Sequence, residues 1–270
     1  MNQPENRSPC SPSSARLQMK LWLYTNYDCN LRCSYCVAES SPQAPRRALD
    51  LETVKQLVNE AVALGFEAIF FTGGEPMLLE DTYAMLDYSA QRAQTTLLTN
   101  GMLLNGKRLE RLSAISRDRL AVQVSLDGSQ PKYHDPYRGA GTWVKTVEGI
   151  RTLQVGGFRV RLSTTETPAN TEHLDELCAF HLALGIPEED HLIRPLARRG
   201  FSIEGLEIGK NTLAPEITVN QDGVYWHPLS TGADMQVSER IFPLADAVCR
   251  VLAELEAVQQ ASPEQRETFY

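Results

Sequence analysis

A chain of 270 residues with 42% hydrophobic residues is long enough for one large α/β domain and a short appendage around an ordinary core. Its formal net charge of −8 argues against nucleic acid as a main partner, because phosphate binding wants a basic surface. No apolar run approaches the roughly 18–20 residues that span a bilayer, and the first residues lack the apolar stretch of a secretory signal, so a cytoplasmic protein without membrane contact is expected.

Residues 1–17 are polar and rich in Pro and Ser and read as a flexible tail. Met19–Thr25 is a first strand that runs directly into a group of cysteines. Leu51–Leu64 is a helix, since Val54, Leu57, Val58, Ala61 and Val62 recur at helical spacing, with Asp50 to cap it and Gly65 to end it. Ala68–Thr72 is the second strand, followed by a helix around Asp81–Arg92. Thr95–Thr99 and Ala121–Ser125 are the third and fourth strands. A helix around Thr142–Leu153 precedes the fifth strand, Arg159–Thr165. The helix Glu172–Leu184 carries a stripe of Leu174, Leu177, Cys178, His181 and Leu182, and His191–Leu196 is the sixth strand.

Six β–α units imply a parallel sheet with helices outside it. A closed eight-unit barrel takes about 250 residues, so residues 18–200 are expected to form an open, partial (β/α)6 TIM-like barrel with its ligands at the carboxyl ends of the strands. Residues 201–270 break the alternation and form a short C-terminal extension: Glu216–Pro228 reads as a hairpin turned at Asp222-Gly223, and 242–258 as a last helix with Leu244, Val248, Leu252 and Leu255 inward.

Three of the six cysteines, Cys29, Cys33 and Cys36, sit in a CxxxCxxC run after the first strand. In a cytosolic chain such a group reads as metal binding rather than as disulfides. Iron–sulfur clusters ordinarily take four thiolates; three from one loop hold three corners and leave one iron open to a chelating ligand, for which the amino and carboxylate groups of methionine are suited. A structural zinc site wants four protein ligands, and no second pair appears nearby.

These residues resemble the radical SAM superfamily, whose CxxxCxΦC signature has an aromatic at the position of Tyr35. Gly73-Gly74-Glu75-Pro76 after the second strand matches the family's GGEP motif. There, by resemblance, backbone groups and the acidic residue meet the amino group of the bound methionine moiety of S-adenosylmethionine (SAM). Thr99-Asn100-Gly101, Ser125-Leu126-Asp127-Gly128, His134-Asp135, Arg138-Gly139 and Gly141-Thr142-Trp143 follow in order. This run is similar to the branch of anaerobic sulfatase-maturating and peptide-modifying (SPASM/twitch) enzymes. The resemblance implies contacts of Ser125 and Arg138 with the ribose and carboxylate of SAM, and of Leu196 near its adenine. It also implies reduction of SAM by one [4Fe–4S] cluster on Cys29, Cys33 and Cys36, giving a 5′-deoxyadenosyl radical that takes hydrogen from a small-molecule or peptide substrate. A flavodoxin or ferredoxin is the kind of electron donor expected.

The chain departs from that branch where a cysteine would follow the Asp222-Gly223 turn: Trp226 and His227 stand there, and only Cys249 lies beyond, so no auxiliary cluster is expected. About eighteen residues precede the first strand, too few for a peptide-recognition domain. The alternative class, a non-catalytic electron carrier or binding protein on the same fold, would let the SAM contacts decay, yet Glu75, Ser125 and Arg138 are intact.

Single residues have plainer readings. Cys178 and Cys249 read as core packing, Cys10 as inert, and His181 as a hydrogen-bonded core histidine. His134 either orders Arg138 or caps a turn. Arg194, Arg198 and Arg199 are candidate substrate contacts or a solvated rim, since guanidinium suits carboxylates and phosphates. Glu166 reads as a helix-start acid or a substrate contact. Trp226 and His227 either floor a substrate pocket or pack the hairpin onto the barrel.

Overall fold

In the computed structural model, which describes residues 19–261, the six apolar runs pair side by side as parallel strands: β1 Lys20–Tyr24, β2 Ala68–Thr72, β3 Gln94–Thr99, β4 Leu120–Ser125, β5 Arg159–Glu166 and β6 His191–Pro195. Residues 1–17 of the expected tail, with Cys10, lie outside the described residues. Six helices lie between the strands, one in each interval except β4–β5, which holds two: α1 Leu51–Ala63, α2 Thr82–Ala90, α3 Gly106–Ser113, α4 Pro131–Arg138, α5 Thr142–Val155 and α6 Leu174–Ala183. The Asp50 carboxylate accepts the Thr53 N–H at 2.9 Å, capping α1 and satisfying one of its orphan donors.

The sheet order among the described residues is β6-β5-β4-β3-β2-β1-β7-β8-β9, so it ends at β6 and β9 and stays open, a partial barrel. Side chains alternate across each strand. On β1, Leu21 and Leu23 are fully buried in the hydrophobic core with Val54, Leu57 and Val58 of α1. Trp22 and Tyr24 point the other way and line a cavity.

The extension joins the same sheet. β7 (Thr218–Asn220) runs parallel to β1, pairing Thr218 with Trp22, and β8 (Gly223–Tyr225) and β9 (Gln236–Ser238) follow antiparallel. Asn220 pairs with Gly223, so the hairpin turns at Gln221-Asp222, one residue earlier than expected. Helix α7 (Leu244–Ala261) buries Leu244, Val248 and Leu255, with Leu252 partly buried against the same core.

Helices α3 and α4 and strand β9 have no clear signal in the sequence. Only Leu112 of α3 is buried, and α4 holds Pro136 inside it, which breaks helical propensity. The stripes of α1 and α6 are narrower than they read: Val62 is 40% and Leu182 59% exposed, each in the last turn of its helix. Among the described residues no helix is long and apolar enough to cross a membrane.

Candidate active site

The loop after β1 carries Cys29, Cys33 and Cys36, all free thiols, and all three line one cavity at the carboxyl ends of the strands. Backbone fixes the loop. The Cys29 N–H donates to Ser41 O at 3.2 Å, and Ser34 N–H to Tyr137 O of α4 at 2.9 Å. Leu31 N–H and Ser40 N–H each lie 3.4 Å from the sulfur of Cys29 and Cys36 respectively. Burial pushes the Cys29 thiol up to about 12 and the Cys33 thiol up to about 11, so binding a metal there must displace protons.

Gly73 and Gly74, at the end of β2, lie directly against this loop. A Cβ at Gly73 would fall 2.3 Å from Asn26 O, and one at Gly74 2.1 Å from Asp28 O, so only glycine permits the approach. Gly74 N–H donates to Asn26 O at 2.8 Å and Glu75 N–H to Asp28 O at 3.0 Å. The Asn26 side chain returns a bond to Glu75 O at 3.0 Å. The two glycines line the cavity.

Glu75 is fully buried and its carboxylate faces the protein. Oε1 accepts from Thr99 Oγ1 at 2.8 Å and Met77 N at 3.2 Å, and Oε2 from Asn100 N at 2.8 Å. Burial pushes its carboxyl up to about 6 against those donors. Pro76 opens the short 3-10 turn Pro76–Leu78, for which Glu75 is the cap.

Asn100, Ser125, Arg138 and Leu196 come to the same cavity from the ends of β3, β4, α4 and β6. The Asn100 amide donates to Asn30 Oδ1 at 2.8 Å, tying β3 to the cysteine loop. Arg138 is 7% exposed, and its Nε donates to Asp127 Oδ2 at 2.6 Å. Tyr35 lines the cavity and its hydroxyl donates to the same Asp127 oxygen. Burial is the largest influence on Asp127 and works against its charge, but the Arg138 guanidinium, His134 and the hydrogen bonds from Arg138 and Tyr35 together outweigh it and hold the carboxyl below its usual range.

Of the residues considered for substrate, Arg194 lines the cavity, near the end of β6 and two residues before Leu196. The others do not. Arg198 pairs with Glu207 and Arg199 with Asp234 outside the cavity. Trp226 is fully buried, donating to Leu213 O at 3.0 Å, and His227 Nδ1 accepts the Leu229 N–H at 3.1 Å. Glu166 accepts from Thr171 Oγ1 at the start of the 3-10 turn Thr171–His173. His134 Nδ1 accepts the Asp127 N–H at 3.1 Å, so it orders Asp127, the partner of Arg138.

Three plain readings change. Cys178 is half-buried, its sulfur 3.8 Å from His191 Nδ1. His181 is buried as expected, but neither ring nitrogen has a hydrogen-bond partner among the described residues. Cys249 is disulfide-bonded rather than a free core thiol.

The sequence reading missed Trp22, Tyr24, Asp127, Pro228 and Leu229. Alternation along β1 signals the first two, since the Trp and Tyr share one face and the leucines the other. Pro228 and Leu229 line the cavity in place of Trp226 and His227, and the Tyr24 hydroxyl donates to Pro228 O at 2.5 Å.

The donors at this cavity are soft thiols, with no carboxylate or histidine among its lining residues, which suits iron–sulfur chemistry. No three His, Cys, Asp or Glu among the described residues converge on a single-ion site. A cluster does not require that, because each cysteine binds a different iron. The backbone approach at Gly73 and Gly74 leaves the cavity wall there without side chains.

The sequence matches the radical SAM superfamily over residues 23–181. It is 31% identical over 157 residues to an AdoMet-dependent heme synthase of Methanosarcina barkeri, covering 57% of this chain and 44% of that one. It is 29% identical over 174 residues to the mycofactocin maturase MftC of Mycolicibacterium smegmatis, covering 64% and 44%. The chain thus spans about half the length of the curated relatives it matches. Among solved structures, it resembles native anSMEcpe with bound AdoMet and Cp18Cys peptide, with TM-score 0.67, 14% identity and coverage of 92% and 84%. BtrN in complex with AdoMet and 2-DOIA gives TM-score 0.56, 18% identity and coverage of 91% and 88%.

Proposed function

The chain belongs to the radical SAM superfamily, and from that premise we propose that it cleaves SAM reductively and directs the resulting radical at a C–H bond of a small-molecule or peptide substrate. As a member it is an enzyme, and its cofactors are one [4Fe–4S] cluster and SAM. One observation carries the proposal: three free thiols, the Gly73–Gly74 backbone, Ser125 and Arg138 all line one cavity at the strand ends.

When bound, the cluster and SAM together supply an electron and a 5′-deoxyadenosyl radical. The chain's own work is placement. Cys29, Cys33 and Cys36 would hold the cluster. The glycine backbone would meet the amino group of SAM and Arg138 its carboxylate, with Ser125 at the ribose and Leu196 against the adenine. Tyr35 and Asn100 would steady the loop and β3 around them. Glu75 supports this arrangement from behind, since its carboxylate joins β2 to β3. The apolar side chains of Trp22, Leu196 and Leu229 would keep water from the reacting atoms.

Arg194, with Pro228 and Leu229, is the proposed substrate side of the cavity, and a carboxylate or other anionic group of the substrate would meet its guanidinium. A flavodoxin- or ferredoxin-type protein is the proposed electron donor.

The test is anaerobic reconstitution with iron and sulfide, reduction with dithionite, and measurement of 5′-deoxyadenosine from SAM. Wild type should produce it, and the triple variant Cys29→Ala, Cys33→Ala, Cys36→Ala should not. Iron loading without 5′-deoxyadenosine under any reductant would overturn the proposal in favour of electron carriage.

A further inference from the structure

Asp127 follows β4 and is fully buried behind the cavity wall, which it does not itself line. Its Oδ2 accepts from Arg138 Nε at 2.6 Å and from the Tyr35 hydroxyl. Its Oδ1 accepts the Thr165 N–H at 2.9 Å. Its own N–H donates to His134 Nδ1 at 3.1 Å, and its carbonyl accepts from Asn170 Nδ2 at 2.7 Å. The carboxylate therefore cannot turn, because β5, α4 and the cysteine loop each hold one of its atoms.

Arginine is long and rotamer-rich, and an unheld guanidinium would lose entropy on meeting a ligand. Arg138 is held from two sides: Asp127 takes its Nε, and its guanidinium carbon lies 5.4 Å from the centre of the Tyr35 ring. The terminal nitrogens make no hydrogen bond to the protein among the described residues, and the side chain lines the cavity. A fork fixed at Nε presents its two remaining nitrogens as a pair, the arrangement that suits a carboxylate.

We propose that Asp127 is a positioning residue for cofactor recognition: by clamping Nε it aims the terminal nitrogens of Arg138 at the carboxylate of SAM. The inference rests on the reading above that Arg138 receives that carboxylate. Asp127 touches neither cofactor nor substrate and acts only through Arg138.

Two ligands separate this role from general structure. S-adenosylhomocysteine carries the amino-acid carboxylate and 5′-methylthioadenosine lacks it. Binding of both is measured by equilibrium dialysis to the reconstituted wild type and to Asp127→Asn, Arg138→Met and Arg138→Lys. Asp127→Asn and Arg138→Met should each weaken S-adenosylhomocysteine by about tenfold or more and leave methylthioadenosine within about twofold of wild type. Arg138→Lys keeps the charge and an intact Asp127, but one ammonium cannot serve both carboxylates as a fork does, so it should show the same selective loss even if Asp127→Asn does not fold.

If Arg138→Met is selective while Asp127→Asn and Arg138→Lys bind both ligands as wild type does, the positioning role is overturned and the carboxylate assignment stands. Equal weakening of both ligands by Asp127→Asn would also overturn it, since that is the mark of general structural damage. If Arg138→Met does not distinguish the ligands, the assignment of Arg138 itself fails.

Discussion

The carboxylate of Glu75 reaches from the end of β2 to the end of β3, where Oε2 accepts the backbone N–H of Asn100 at 2.8 Å. Its other oxygen takes Thr99 Oγ1 and Met77 N–H, so one buried side chain closes three donors behind the cavity. Glu75→Gln retains one oxygen and replaces the other with an NH2 that must face a backbone N–H. The expected cost is about 1–3 kcal/mol, read by urea unfolding of the metal-free protein. An unchanged unfolding midpoint would show that the three bonds contribute nothing.

Gly200 has φ +62°, and a Cβ there would fall 2.2 Å from the carbonyl oxygen of Cys36. The next residue binds the same carbonyl, Phe201 N–H to Cys36 O at 3.1 Å, and Arg32 of the cysteine loop lies 4.3 Å over the Phe201 ring. Gly200→Ala adds left-handed strain of about 1–2 kcal/mol and displaces Cys36. The variant should take up less iron than wild type on reconstitution. Wild-type iron content and visible absorption would contradict this coupling.

The Tyr24 hydroxyl holds Pro228 O at 2.5 Å and so fixes the segment that brings Pro228 and Leu229 to the cavity. Tyr24→Phe should cost about 1 kcal/mol of stability while leaving S-adenosylhomocysteine binding intact, because no proposed SAM contact is touched. A loss of that binding as large as the stability loss would mean that Tyr24 supports the SAM side of the cavity as well.

Burial holds His181 down to about 3, with both ring nitrogens unpartnered among the described residues. A histidine depressed in the folded state binds more protons when unfolded, so stability is full above pH 6.5 and falls as pH drops towards 3. At pH 4.5 the loss from this one group reaches about 2–3 kcal/mol. His181→Leu breaks no hydrogen bond and should keep stability near wild type at pH 7 while flattening the decline below pH 6.5. Parallel curves for variant and wild type in urea unfolding across that range would refute it.

The strands and the cysteine motif were legible because their signals are local. A parallel strand buried on both faces is a continuous apolar run, and CxxxCxxC needs only spacing. The role of Asp127 was not legible, because its partners Tyr35, Arg138, Thr165 and Asn170 are spread over 136 positions of chain. Of the two readings of Trp226 and His227, packing onto the barrel is the one the structure shows for Trp226, and the cavity is lined instead by Pro228 and Leu229 for a geometric reason. The β8–β9 ladder shifts register between Val224 and Tyr225, and such an irregularity re-aims the side chains that follow. Helix α4 stayed hidden by Pro136 and by a polar sequence whose burial comes from the site, where His134 and Arg138 are held by Asp127.

The central claim is that Cys29, Cys33 and Cys36 hold a cluster with one iron open to SAM. It is tested most directly by electron paramagnetic resonance of the dithionite-reduced, reconstituted protein with and without SAM. A reduced-cluster signal whose g values shift on adding SAM, in a protein holding about four irons per chain, is the predicted result. A signal that SAM leaves unchanged would contradict the account, because the open iron and the cavity that the three cysteines line would then not meet the cofactor.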